Sequence, residues 1–363
     1  MSQTHLKFDK LFFRDFWRLL KPYWCSDEKG IAWLLLSFNI LCILGEVRAS
    51  VGFNNFHRDF FNALQAVDVG AITMALWHFV GVVVFYVVCM GSNVYLTGML
   101  TLRWRRWLTK TYLNKWTQNH HYFYGEMLHR DLDNPDQRIS EDLQRFSAST
   151  LSLFQQFLHA LLMMFTFSII LWHLSKDFSF SVGHTQIAIP GFFYFAAFFY
   201  AILGTYLISW MGKLLPYLEH KNQHYNADFR FELVKMRQPK EEGGVLLDQS
   251  QFKGLFGRIY DNVSDIVMLK TRLMFFTKGY SFLSFIVGYL ISMPLFLAKK
   301  MQLGGVMQTS SAFNSVVSAF SFFVESFNDL ADWRSVIYRL AAFDQLIETK
   351  KTQIPLAEEA PCV

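Results

Sequence analysis

Four carboxylates stand where carboxylates are costly: Glu46, Glu325 and Asp329 fall inside long apolar stretches, and Asp332 lies just beyond the last of them. A charge in a lipid-spanning helix costs roughly several kcal/mol unless it faces a cavity or a partner. Each is therefore a candidate functional group. Carboxyl groups in partly dry surroundings exchange protons at higher pH than they do in water, and that is the chemistry needed to couple a proton gradient to movement across a membrane.

Three of these acids sit on a longer pattern. Gln308, Ser311, Ser315, Ser318, Phe322, Glu325, Asp329 and Asp332 recur at alternating steps of three and four, which puts them on one helical face. Ser310, Asn314, Ser321, Asn328 and Ser335 widen that face, while Phe313, Val316, Phe320, Phe323, Phe327 and Leu330 occupy the other side. A helix over 303–332 is about 45 Å long at 1.5 Å per residue, enough to run from one water layer to the other. The stripe is expected to line a translocation path, with Glu325, Asp329 and Asp332 as a ladder of carboxylates and Glu46 as a fourth acid. The alternative is a packing seam, since small polar residues also let transmembrane helices approach closely. For Glu325 and Asp329 an ion pair with Arg48 or another cation is the rival role, and for Asp332 ordinary solvation.

The elements that must hold these groups are membrane helices. The chain is 52% hydrophobic, 18% aromatic and only 17% charged, with 39 Phe, and its apolar residues fall in blocks rather than in alternation. Several blocks reach the roughly 20 residues needed to cross about 30 Å of hydrocarbon. The reading is an all-α integral membrane protein with six spans, at 31–52, 72–100, 150–174, 187–210, 275–298 and 303–330. They must be helices, because backbone groups in lipid pair within their own segment. Most of the 34 Lys and Arg fall in the N-terminal tail, the 101–149 and 211–274 loops and the C-terminal tail, which orients both termini to the cytoplasm. The net charge of +5 is a topology signal and leaves nothing for a nucleic-acid partner to explain.

Residues 1–30 read as a cytoplasmic tail with an interfacial elbow helix over Phe12–Pro22, residues 31–345 as the six-helix domain, and residues 346–363 as a short cytoplasmic tail, disordered over 350–363. Both large loops keep helical periodicity, so the spans are expected to continue well into the cytoplasm. Asp133, Asn134, Pro135 and Asp136, followed by Gln137 and Arg138, mark a turn in the first loop, and 239–244 (PKEEGG) marks one in the second.

Other groups carry less. Cys25, Cys42, Cys89 and Cys362 show no paired spacing, so neither a disulfide framework nor a zinc site is indicated. His120, His121 and His129 gather near Glu126 without a metal-ligand spacing. His159 sits among Phe and Leu, where a neutral, hydrogen-bonded imidazole is the default. Glu141, Asp142 and Arg145 suit pairing along or across helices. No nucleophile, base or paired-carboxylate arrangement reads as an active site, so no enzyme activity, cofactor or metal is expected.

Several blocks resemble a known family. KPYWCSDEK at 21–29, FNALQ at 61–65, LRWRRWLTKTYLNKW at 102–116, DNPDQRISEDLQRF at 133–146, LPYLEHKNQ at 215–223, FRFELV at 229–234, MQTSSAF at 307–313 and LADWRSVIYRLAAF at 330–343 are similar to the transmembrane domain shared by D-type ABC half-transporters and the SbmA/BacA peptide-uptake permeases. The resemblance spans nearly the whole chain. It implies an exporter-type ABC transmembrane fold, a homodimer in the cell inner membrane, and a substrate path between protomers.

Two functions follow from the resemblance. One is a stand-alone permease of the SbmA/BacA type, taking up peptides or peptide-like molecules by proton-coupled alternating access. The other is the membrane subunit of an ABC transporter whose ATPase is a separate chain. No GxxxxGK[ST] phosphate loop, and hence no nucleotide-binding domain, is present in the sequence. RQPKEEGGVLLDQ at 237–249 departs from the acidic, aliphatic segment through which ABC members contact their ATPase, which favours the first reading.

Overall fold

The computed structural model describes residues 9–117, 135–176, 178–182, 185–237 and 249–353. The PKEEGG turn, the His120, His121, His129 and Glu126 group, and Cys362 lie outside the described residues, as do Asp133 and Asn134. The order is α1 (Lys10–Trp24), α2 (Lys29–Gln65), α3 (Val69–Thr117) and α4 (Pro135–Leu174), then a hairpin of β1 (Ser179–Val182) and β2 (Thr185–Ala188). α5 (Phe192–Gly212), α6 (Leu215–Arg237), α7 (Gln249–Leu297), α8 (Leu303–Glu325) and α9 (Phe327–Gln353) complete it.

Length separates the crossing part of each helix from its extension. α2 has 37 residues and α3 has 49, so at 1.5 Å per residue they run about 55 Å and about 74 Å against a hydrocarbon layer of about 30 Å. The expected continuation of a span into the first large loop is built as unbroken helix in α3, which runs on to Thr117. Five stretches are long and apolar enough to cross a membrane among the described residues: α2, α3, α4, α5 continuing into α6, and α7. α8 occupies most of the sixth predicted span and is not among these five, with Gln308, Thr309, Ser310, Ser311 and Asn314 interrupting its apolar run.

Two expectations about boundaries are corrected. The fourth span does not begin at residue 187, because Ile187 and Ala188 belong to β2, antiparallel to β1 with Ser179 opposite Ala188. The helix starts at Phe192, after Gly191 at φ 76°, where a Cβ would lie 2.4 Å from the Trp172 ring. Only glycine fits both the left-handed backbone and the close approach. The last span is likewise not one helix over 303–330, since the helix is interrupted at Ser326 between α8 and α9.

The chain forms two compact units, one of Met1–Phe167 with Glu325–Val363 and one of Ser168–Val324. In the first, α1 packs on α9, α2 and α3. Its N-cap is Asp9, whose carboxylate accepts from the Phe12 amide at 2.9 Å. Its buried face carries Phe12, Asp15, Leu19 and Tyr23, so the predicted elbow helix is docked on protein along one side while Phe13 and Trp17 stay exposed. Tyr23 stacks on Trp104 at 5.6 Å, and burial together with the Glu28 carboxylate pushes its phenol up to about 12.

In the second unit α5 and α7 are clasped by Tyr200 and Tyr280. Their rings stack at 4.3 Å, Tyr200 donates to the Tyr280 carbonyl at 2.8 Å, and Tyr280 donates back to the Tyr200 carbonyl. α6 and α7 form a hairpin held by Asn262 Nδ2 to the Leu218 carbonyl, 3.0 Å, and by Lys270 with Glu219, 2.8 Å.

Candidate translocation and coupling sites

Glu46 lies near the middle of α2 and is buried. It is the last member of a chain of polar side chains from three helices. Gln155 of α4 donates from Nε2 to Asn39 Oδ1 at 2.7 Å and to Thr97 Oγ1 at 2.7 Å. Asn39 of α2, fully buried, donates from Nδ2 to Asn93 Oδ1 at 2.5 Å and to Thr97 Oγ1 at 3.0 Å. Asn93 of α3 then donates from Nδ2 to Glu46 Oε1 at 2.9 Å. All three amides thus point their N–H groups toward one carboxylate, an orientation in which each bond polarises the next. Among the described residues Glu46 makes no ion pair, and its oriented donor is neutral. His159 and Cys89 are close enough to Glu46 for electrostatic interaction, yet no group of three potential metal ligands occurs among the described residues.

The stripe on the last span divides between the two units. Gln308, Ser311, Ser315, Ser318 and Phe322 belong to α8 in the second, and Glu325, Asp329 and Asp332 to the first. Gln308 is buried, Ser311 and Ser315 are half-buried, and Ser318 is exposed. Ser315 donates to the Ser311 carbonyl of its own helix at 3.0 Å. Asp329 and Asp332 are exposed on α9, and the Glu325 side chain lies outside the described ones. The helix is interrupted at Ser326, between Glu325 and Asp329.

The neighbouring row plays a different part from the expected one. Ser310 donates to the Phe285 carbonyl at 2.9 Å, and Ser284 donates to Asn314 Oδ1 at 2.6 Å. Beneath Ser310 lies Gly288, where a Cβ would come within 2.5 Å of the Ser310 Cα. Ser310 and Asn314 therefore belong to a packing seam between α7 and α8 and do not widen a path lining. Arg48 is exposed and makes no ion pair among the described residues, so the rival pairing with Asp329 is not formed.

A second polar centre lies at the N-terminal end of α4, outside its apolar stretch. The described part of the helix opens at Pro135, a residue tolerated in a first helical turn because its missing N–H costs nothing there, and Asp136 follows. Arg138–Asp142 is a π turn, closed by the Leu143 amide on the Arg138 carbonyl. Within the predicted turn, Pro135 and Gln137 are half-buried and Asp136 is exposed, whereas Arg138 turns inward and is buried.

Arg138 Nη1 lies 2.6 Å from Asp142 Oδ2. Arg339 of α9 grips the same carboxylate with two bonds, Nε to Oδ2 at 2.9 Å and Nη2 to Oδ1 at 2.8 Å. Burial pushes the Asp142 carboxyl up, but the hydrogen bonds and charges of Arg339 and Arg138 outweigh it and hold the group below its usual range. Nearby, Asp344 of α9 takes Lys115 at 2.7 Å and Arg18 at 3.5 Å, tying α9 to α3 and α1. Glu141 pairs along the helix with Arg145 at 3.3 Å.

These features define a multi-pass helical membrane protein with one polar chain inside its apolar layer and a rigid charged block at one end. Residues 19–297 match the family described as ABC transporter transmembrane region 2, and the chain belongs to that family. It is 32% identical over 345 residues to the inner membrane ABC transporter ATP-binding protein YddA of Escherichia coli (strain K12), covering 93% of this chain and 61% of that protein. It is 30% identical over 347 residues to the chloroplastic ABC transporter D family member 2 of Arabidopsis thaliana, covering 93% of this chain and 46% of that protein. The human lysosomal cobalamin transporter ABCD4 is 25% identical over 236 residues, covering 64% of this chain and 36% of that protein. The chain thus spans about half to three-fifths of the length of the first two relatives. The helical architecture agrees with the exporter-type fold implied by the sequence blocks.

Proposed function

We propose that this chain is the membrane-embedded half of an ABC transporter, driven by an ATPase from outside these 363 residues and working as a homodimer in the cell inner membrane with both termini cytoplasmic. The observation that carries this reading is the match over 93% of the chain to a protein named as an ATP-binding ABC transporter. It reverses the preference drawn from the 237–249 segment. In this reading, Pro135–Arg138, at the end of a braced helix, is where the ATPase acts. Energy from nucleotide binding enters there and changes which side of the membrane the path opens to.

A second reading is proton-coupled uptake of peptides or peptide-like molecules, as in SbmA/BacA permeases. It is supported by Glu46, a buried carboxylate held by a neutral donor within the apolar layer. Glu325, Asp329 and Asp332 would act with it, and Gln308, Ser311, Ser315, Ser318 and Phe322 would line the path.

One experiment separates the two. Liposomes holding the chain alone, or the chain with a candidate ATPase subunit, are given either ATP or an inward proton gradient, and entry of a fluorescent cationic peptide, an acyl-CoA or a corrinoid is followed. Transport that requires both the second subunit and ATP supports the first reading. Transport by the chain alone under a proton gradient, lost in Glu46→Gln, replaces it with the second.

A further inference from the structure

The π turn at Arg138–Asp142 stands between the Pro135–Gln137 turn and the membrane-crossing part of α4. A π turn holds one residue more than the α-helix it interrupts, and such turns gather at functional positions. Each residue of an α-helix turns the chain by about 100°, so closing the π turn to α geometry would swing Pro135–Gln137 about the α4 axis by about that angle.

Side chains from two neighbouring helices oppose this swing. α4 is pinned to α9 at two levels: Thr150 Oγ1 accepts from Trp333 Nε1 at 2.8 Å, and Asp142 takes the fork of Arg339. Asp142 is the outer pin and also the last residue of the π turn. Arg138, its first residue, is tied to the same carboxylate at 2.6 Å, so one buried anion joins both ends of the turn to α9. A third helix adds a long bond, Arg105 Nη2 of α3 to the Ser140 carbonyl at 3.4 Å, inside the π turn.

We infer that Arg138, Asp142 and Arg339 form a register clamp. They fix the rotational phase of the Pro135–Gln137 turn about α4 and join it to α9, so that force applied at the turn moves α9 instead of spinning the end of α4. These are positioning residues, and none of them touches cargo. The consequence for transport rests on the ATPase-driven reading, whereas the clamp itself is a property of this chain and is tested without nucleotide.

The test uses the full chain in lipid nanodiscs with its four cysteines replaced by serine or alanine. One spin-label pair sits at Asp136→Cys and Ala342→Cys, spanning the clamp. A second sits at Ala148→Cys and Ala342→Cys, on the same two helices beyond it. All three positions are exposed, so the labels need not displace packed side chains. Distances are measured by pulsed electron resonance.

With labelled chain diluted into unlabelled chain, so that distances within one protomer dominate, both pairs give one narrow distance in the otherwise native protein. In Asp142→Asn and in Arg339→Leu the first pair shifts and broadens while the second stays, and Glu141→Gln, which removes the surface ion pair with Arg145 but keeps an amide oxygen to accept the long bond from Gln137, changes neither. An unchanged first pair overturns the clamp. Movement of both pairs also overturns it, since the cluster would then be general packing.

Deleting Ile139, which removes the extra residue, shifts the mean of the first pair without broadening it, and no shift counts against the register argument. With an ATPase subunit added, Asp142→Asn lowers cargo moved per ATP hydrolysed. If the distances shift but that ratio does not, the clamp stands and its part in coupling falls.

Discussion

Glu46 and Asp142 are both buried carboxylates of the same unit, and they are held in opposite ways. Asp142 takes three bonds from two guanidinium groups, and two of those bonds come from another helix. Glu46 takes one bond from a neutral amide, at the end of amides that all donate in the same direction. At Asp142, loss of the negative charge leaves two arginines facing each other. At Glu46 it leaves an amide needing an acceptor, which a neutral carboxyl still supplies. The first arrangement ties two helices through one anion, and the second needs only an acceptor oxygen at the end of the amide chain.

The contrast would break most visibly at Asp142. Replacing it with alanine strands the buried Arg138 and the half-buried Arg339, and removing one partner of a buried ion pair costs about 3–5 kcal/mol. A fall of that size in the unfolding free energy of the purified chain is expected, and a change below about 1 kcal/mol would erase the distinction between the centres.

The same centre carries a pH signature. Its folded-state carboxyl lies below the unfolded value, so its contribution is complete above the ordinary carboxylate range and is lost as pH falls through the depressed folded value. The stability difference between the native chain and Asp142→Asn therefore narrows on acidification and holds steady from neutral to mildly alkaline pH, measured as thermal midpoints across a pH series.

A smaller loss is expected at Asn39, the buried middle of the amide chain. Hydrogen bonds between membrane helices average about 0.6 kcal/mol and reach about 1.7, so Asn39→Leu should destabilise by an amount in that range in reversible denaturant unfolding. Smallest is Glu46→Gln, whose amide oxygen keeps the bond from Asn93. A stability change below about 0.5 kcal/mol is expected, consistent with an exchange of one neutral-donor bond for another. A loss as large as that at Asp142 would make both carboxylates structural.

Much of the architecture was legible because membrane helices advertise themselves. Blocks of Phe, Leu and Val set five crossing helices, and the periodicity of the flanking loops already indicated their extension. The β1–β2 hairpin and the start of α5 at Phe192 were less visible, since Ile187 and Ala188 are as apolar as the helix that follows and the Pro190-Gly191 pair alone marks the change. The break at Ser326 had no signal at all, because the three-four rhythm passes through it undisturbed.

The sites divided along the same line. Glu46 stood out as a charge in an apolar block. Asn39, Asn93, Thr97 and Gln155 did not, since uncharged polar residues in membrane helices are common and their convergence is a tertiary fact. Asp142 was read as a pairing residue, but its partner Arg339 lies 197 positions away. A lone Asn on each of two consecutive spans was the one hint available, as amides in lipid need partners.

Among the described residues of the first unit three free cysteines have graded accessibility: Cys25 exposed, Cys42 half-buried and Cys89 buried, with Gly45 so close to the Cys89 sulfur that a Cβ there would lie 2.5 Å away. Chemically this makes the chain its own footprinting standard. A bulky, membrane-impermeant maleimide should modify Cys25 and spare Cys89 on folded protein in a Cys362→Ser background. Because Cys25 sits just after α1, its labelling in oriented vesicles reads out which side of the bilayer the elbow helix occupies, with no tag or fusion added.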